Sequence, residues 1–189
     1  RIHLIWAGLL LLGASSNLSF AQIREQGYLP TINYESSEYK GREQNWAIVQ
    51  DQRGVMYFGN NGGVLEFDGV KWRKIELPDV IKVRSMAIDE TGTIYLGADG
   101  DFGYLSPDTS GTLVFVSLLS YLNENEKQFT DVWTTLVTES GVYFQSKERI
   151  FRWSDHTMKV WNNPSSNVND EYYHKMFFAG GIIYVRYEG

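Results

Sequence analysis

The side chains in this chain that can do chemistry fall in short turns. Asp51 and Glu90 occupy corresponding turns of two similar stretches. Two carboxylates set across a glycosidic bond can act as acid and nucleophile, but a turn carboxylate also serves to accept backbone N–H groups. Asn60, Asn61, Asp99 and Asp101 sit at two hairpin tips and are the candidate ligand-binding residues, because binding groups concentrate on loops held by a rigid scaffold. Asn-Gly and Asp-Gly are equally the pairs a tight hairpin requires. The Asp99-x-Asp101 pair offers oxygens to Ca²⁺ but lacks the further ligands of a calcium loop. His3, His156 and His174 have no partner at metal-ligand spacing. No phosphate-binding glycine loop or nucleophile elbow occurs. With no cysteine, thiolate catalysis and disulfides are excluded within this sequence. The expectation is no catalytic residue, no metal and no cofactor.

Those turns are spaced by a repeat. Residues 49–59 read VQDQRGVMYFG, residues 88–97 read IDETGTIYLG, residues 137–145 read VTESGVYFQ and residues 178–185 read FAGGIIYV. The marker tyrosines Tyr57, Tyr95, Tyr143 and Tyr184 are 38, 48 and 41 residues apart. The longest interval holds an insertion at 117–129 suited to a short helix. Each unit alternates with strand period and is punctuated by turn residues. In the first, NWAIVQD is a strand and Asp51 and Gly54 bracket a turn. VMYFG is the second strand, Asn61-Gly62 predicts a type I′ turn, GVLEFD is the third strand and VKWRKIEL the fourth.

Repeated four-stranded antiparallel meanders of about 40 residues predict an all-β chain, a β-propeller built blade by blade. The blades are expected at 45–77, 84–118, 132–161 and 174–189, with 162–173 as a polar connection. The last unit breaks off at Gly189, so the expectation is an N-terminal fragment of about three and a half blades. Trp46, Trp72, Trp133, Trp153 and Trp161 are expected between blades, where each buries on the order of 150–250 Å². The face holding the loops between second and third strands also holds the loops before Trp46, Arg84 and Val132. Asp51 and Glu90 belong to the opposite face.

Hydrophobic residues are 43% and aromatics 15% of the 189 residues, enough for a packed core. Eighteen glycines against four prolines favour turn-rich β structure. The formal charge of −6, without a basic block, speaks against a nucleic-acid surface. Residues 1–21 read as a signal peptide: Arg1 and His3, an apolar run Leu4–Leu12, then Ser19-Phe20-Ala21 fitting a cleavage site. The apolar run is too short to span a membrane, which needs about 20 residues. Residues 22–189 are then an extracytoplasmic propeller domain.

The stretch Pro30 to Ile75 resembles the opening of two-component regulator propeller sensors. The resemblance rests on Gln44-Asn45-Trp46, the Asp51/Gly54 turn, YFGN, and GVLEFDG followed by Trp72. It implies an input module of a membrane signalling protein that controls transcription. It further implies about seven blades in a sensor half, a membrane helix beyond this sequence, and a histidine kinase or helix-turn-helix output. The implied partners are a small-molecule or glycan ligand and a second copy in a homodimer of the full sensor. Asp-x-x-Gly-x-x-Tyr is also similar to the Asp-box of sialidase propellers, without the preceding Ser-x pair. A secreted enzyme acting on polysaccharide and a protein-binding scaffold are the alternative readings.

Overall fold

A computed structural model describes residues 27, 30–78, 82–165 and 171–188. The expected signal peptide and His3 lie outside them. Residues up to Asn33 form a unit apart from Tyr34–Gly189, and those described in it carry no helix or strand.

From Tyr34 onward the regular secondary structure is almost all strand. A single helical turn, α1 (Ser36–Tyr39), precedes the first sheet: β1 (Asn45–Gln50), β2 (Met56–Asn60), β3 (Gly63–Phe67) and β4 (Trp72–Ile75). The second sheet is β5 (Val83–Ile88), β6 (Ile94–Ala98), β7 (Phe102–Pro107) and β8 (Leu113–Ser117). A 3₁₀ turn at Leu119–Tyr121 occupies the expected insertion. The third sheet is β9 (Thr134–Thr138), β10 (Gly141–Gln145), β11 (Arg149–Ser154) and β12 (Thr157–Asn162). A hairpin of β13 (Tyr172–Ala179) and β14 (Ile182–Glu188) follows. Each four-stranded sheet is an antiparallel meander in chain order. β13 begins two residues before the expected fourth unit, inside the stretch read as a connection.

The first strands of successive units are neighbours: β1 beside β5, β5 beside β9, β9 beside β13. Apolar side chains fill the space between sheets. Tyr57, Val64, Ile75, Val83, Met86 and Leu96 form one buried cluster across the first two. Phe102, Leu118, Val132, Val142, Phe144 and Phe151 form another across the second and third. Phe102 lies 4.6 Å, ring to ring, from both Phe144 and Phe151, within the range of favourable aromatic contact.

The glycine two places after Tyr57 and after Tyr95 explains how closely the first sheets approach. A Cβ on Gly97 would lie 2.5 Å from Val132 Cγ1 of the next unit, and 2.4 Å from Ser85 Oγ on its own paired strand. On Gly59 it would meet Val83 Cγ1 at 2.9 Å and Met86 Sδ at 3.1 Å. The next sheet thus packs onto a bare backbone. The third unit has Gln145 there instead. Its buried amide accepts from Thr134 Oγ1 at 2.9 Å and donates to the Tyr173 carbonyl at 2.9 Å, tying the hairpin to the third sheet.

Several expectations need correcting. The Asn61-Gly62 turn is not type I′, since neither residue has positive φ; the positive value falls on Gly63, at 113°. The Asn60 side chain overrides the dipeptide preference, accepting from the Gly62 amide at 2.9 Å. Two consecutive positive-φ residues, as type I′ requires, occur at Asp155 and His156 (49° and 57°), between β11 and β12. Among the described residues Trp72 packs against Tyr34, Tyr39, Phe58 and Phe67 rather than against a second sheet. Trp153 joins the cluster between the second and third sheets, and Trp161 stacks on Tyr143 towards the hairpin. Tyr184 is 53% exposed where Tyr57 is 1% exposed, because no sheet among the described residues covers that side of the hairpin.

Candidate functional site

The first strand of a unit carries an irregularity just after it starts. In β1 the pairing with β2 shifts between Asn45 and Ala47, leaving Trp46 as the extra residue. In β5 the shift between Val83 and Ser85 leaves Arg84. In β13 the shift between Tyr173 and Lys175 leaves His174. Trp133 holds the matching place immediately before β9, its amide bonded to the Gln145 carbonyl at 2.8 Å. Bulges re-aim a side chain out of the ordinary alternation. Here they line up Trp46, Arg84, Trp133 and His174, one from each unit, at one end of the sheets.

Arg84 is the centre of this row. Its guanidinium carbon lies 4.0 Å from the Trp46 ring centroid and 4.7 Å from that of Trp133. Nε donates to Asp131 Oδ1 at 2.8 Å and Nη2 to Oδ2 at 3.4 Å. The side chain is 9% exposed, and its Nη1 is buried without a hydrogen-bond partner. A planar, always-charged guanidinium suits a site combining stacking with a two-point carboxylate contact. Trp46 is fixed in turn by donating its Nε1–H to Asn61 Oδ1 at 2.7 Å, and it remains 38% exposed.

The sequence-derived candidates occupy this same end in different states. Asn60 is fully buried and saturated: its amide nitrogen donates to the Arg42 and Gln44 carbonyls and Asn45 Oδ1, and its oxygen accepts from the Arg42 and Gly62 amides. It positions the loop that leads into β1. Asn61 is partly exposed and holds Trp46. Asp99 is exposed, bridges to Asp131 through the backbone and faces Lys82 Nζ at 3.4 Å. Asp101 turns inward, accepting from Ser117 Oγ at 2.8 Å and the Phe102 amide at 2.6 Å. Burial raises its carboxyl above the usual range, and those two hydrogen bonds only partly offset the effect. Asp99 and Asp101 therefore do not converge on one point. Among the described residues no group of three or more metal-ligating side chains occurs.

At the opposite end the acidic turns cap backbone. Asp51 Oδ1 accepts from the Arg53 and Val55 amides at 2.9 and 3.0 Å, and Tyr57 donates its hydroxyl to Oδ2 at 3.4 Å. Burial pushes the Asp51 carboxyl up, but the Arg53 side chain and those amides together outweigh it, leaving the group below its ordinary value. The matching residue in the second unit is Asp89, not Glu90. Asp89 Oδ1 accepts from the Thr91 and Thr93 amides at 2.9 and 2.8 Å, and the Tyr95 hydroxyl meets Oδ2 at 3.4 Å. Burial together with the adjacent Asp89 charge pushes the Tyr95 phenol up to about 12. Glu90, one residue on, is exposed, with its carbonyl accepting from Gln52.

No family model and no curated protein matches the chain. Among solved structures, one described as the extracellular domain of a hybrid two-component system from B. thetaiotaomicron is similar at 13% identity and a TM-score of 0.37. The match covers 77% of this chain and 25% of that one, so the chain spans about a quarter of that structure's length. So loose a likeness assigns no residue and no activity.

Sequence reading placed the loops before Trp46, Arg84 and Val132 at this end but missed the Arg84–Asp131 pair, whose members lie in different units. A signal was present. Trp46, Arg84, Trp133 and His174 each precede the marker tyrosine of their unit by 10 or 11 residues.

Proposed function

We propose that the chain is a ligand-sensing propeller segment, the extracytoplasmic input part of a two-component-type membrane signalling protein. The observation that carries the proposal is the alignment of Trp46, Arg84, Trp133 and His174 at one end of four successive units. Exposed aromatic faces beside fixed charges suit a small polar ligand with an apolar side. The repeat, the leader-like residues 1–21 and the resemblance of Pro30–Ile75 to regulator propellers support the wider reading. Radial stacking of the sheets into blades, passage to a membrane helix and pairing of two copies belong to the proposal. Ligand would act by population shift, favouring one packing of units whose first strands meet at the site.

The carboxylates considered for glycosidic chemistry favour sensing over hydrolysis. Asp51 is committed to amides and Arg53, and it borders a different recess from Glu90, which stands beside Glu139. A thermal-shift panel of neutral, amino and acidic saccharides with free amino acids, run on the full chain with product analysis, tests the proposal. Sensing requires a rise in unfolding midpoint without turnover. Turnover of any sugar, or no midpoint change across the panel, overturns it.

A further inference from the structure

Beside the row of bulge residues is a recess of about 370 Å³ between the third sheet and the hairpin, lined by Trp133, Lys147, Tyr172, Tyr173, His174 and Lys175. That volume lies within the range of small-ligand sites, about 300–1,000 Å³. Its chemistry departs from the rest of the molecule. The chain carries a net charge of −6, yet this recess gathers two lysines, a histidine and three aromatic rings.

The two lysines there are not consumed by ion pairs, whereas His174 faces Glu188. Lys147 lies with Nζ 4.7 Å from the Tyr172 ring centroid, and no carboxylate lies within ion-pair distance of Lys147 or Lys175 among the described residues. Glu148 and Glu188, beside the recess in sequence or contact, have other partners. Glu148 accepts from the Thr130 hydroxyl at 3.0 Å and amide at 3.2 Å. Glu188 accepts the Tyr172 hydroxyl at 2.8 Å, pairs with Arg186, and stands 3.6 Å from His174 Nε2.

The recess is also built rather than incidental. The Tyr173 amide donates to the Lys147 carbonyl at 3.1 Å, and buried Gln145 holds the Tyr173 carbonyl. The tyrosine hydroxyls are spent on Glu188 and on the Asn162 carbonyl, the latter at 3.0 Å. What the site offers a ligand is therefore ring faces and ammonium groups.

We propose that this recess binds an acidic saccharide. Its carboxylate or sulfate would pair with Lys147 and Lys175, and the apolar face of the sugar ring would lie on Trp133 and the tyrosines. The inference rests on the ligand-sensing reading and adds the ligand's charge and the residues that select it. Ammonium-to-carboxylate and ammonium-to-sulfate contacts are charge-assisted and among the stronger hydrogen bonds. Removing them from an exposed site leaves the fold intact.

The test is calorimetric titration of the full chain, wild type and Lys147→Gln/Lys175→Gln, with four probes. The probes are a galacturonic acid trimer, a sulfated disaccharide, a neutral galactose trimer and sodium sulfate at matched ionic strength. The proposal expects binding of the uronide, the sulfated sugar or both, and at least tenfold weaker binding in the double variant. It also expects at least tenfold weaker binding of the neutral trimer and of sulfate. Which acidic probe binds identifies the anionic group. Equal binding of the neutral trimer, or acidic-sugar binding untouched by the double variant, overturns the acidic-saccharide inference while leaving ligand sensing standing. Sulfate binding as tightly as either sugar overturns the saccharide part. No binding by any probe overturns the inference, and sensing then falls only if the wider panel is also silent.

Discussion

Trp46 and Trp133 meet edge to face, 6.0 Å between ring centroids and 79° between planes, although a whole sheet separates them in the chain. The contact exists because Arg84, contributed by that intervening sheet, lies against both rings. Three units are joined at one end by a single guanidinium, and the clearest predictions concern that joint.

Asp131→Asn should cost about 2–4 kcal/mol, because it leaves a nearly buried guanidinium without its counter-charge. Arg84→Lys should lose a similar amount, since an ammonium supplies neither the planar stacking surface nor the two-point contact. Urea unfolding of both variants and of the double variant measures the coupling. Additive losses would show that the pair does not act as a unit.

Gly97→Ala should destabilise more than Gly59→Ala. Both insert a Cβ where the neighbouring sheet sits, a change that costs about 1–3 kcal/mol. Gly97 stands at the upper end because the closest atoms lie at 2.4 and 2.5 Å, on short side chains with little room to move. The neighbours of Gly59 lie at 2.9 and 3.1 Å, one of them a flexible methionine sulfur. Denaturation midpoints of the two variants decide the order.

Asp89→Ala should cost about 1–3 kcal/mol, since it strips an acceptor from two amides and from the Thr91 hydroxyl. Glu90→Gln should change stability by less than about 0.5 kcal/mol, as an exposed surface substitution. A larger loss at Glu90 would make it, rather than Asp89, the counterpart of Asp51.

Acid titration should separate Asp51 from Asp101. The Asp51 carboxyl lies below its ordinary value of 3.8, so its contribution is full above about pH 4 and is lost as pH falls through the lowered folded value. Asp51→Asn should therefore weaken the protein at neutral pH and differ less from wild type below pH 4. The Asp101 carboxyl lies above 3.8, so its ionised form opposes folding at neutral pH and the penalty disappears as the group is protonated. Asp101→Asn, which keeps the oxygen facing Ser117, should be neutral or stabilising at pH 7 and lose that advantage in acid. Urea unfolding between about pH 3 and 7 reads both signs.

These residues also show which features local sequence expresses. The strands were legible because Asp51 with Gly54, and the matching residues later on, mark turns by short-range hydrogen bonding, and alternation marks what lies between. The Asn61-Gly62 pair alone does not set its turn type, because Asn60, one residue earlier, supplies a side-chain acceptor that stabilises a different conformation. Glu90 shares only its acidity with Asp51, whereas the separation of Tyr57 and Tyr95 points to Asp89. The Arg84–Asp131 pair and the lysine-lined recess join residues from different units, and only packing brings them together. Their positions within the repeat were available, but a residue just before a tyrosine-bearing hairpin gives no hint of which neighbour it will meet.

The most direct test of ligand sensing is hydrogen–deuterium exchange on the full chain with and without a saccharide that raises its unfolding midpoint. Slowed exchange is predicted at residues 44–46, 82–84, 131–133 and 172–175, with the opposite turns at 51–55 and 89–93 unchanged. Protection confined to those opposite turns, or to neither end, would contradict the assignment of the Trp46–Arg84–Trp133 end as the binding face.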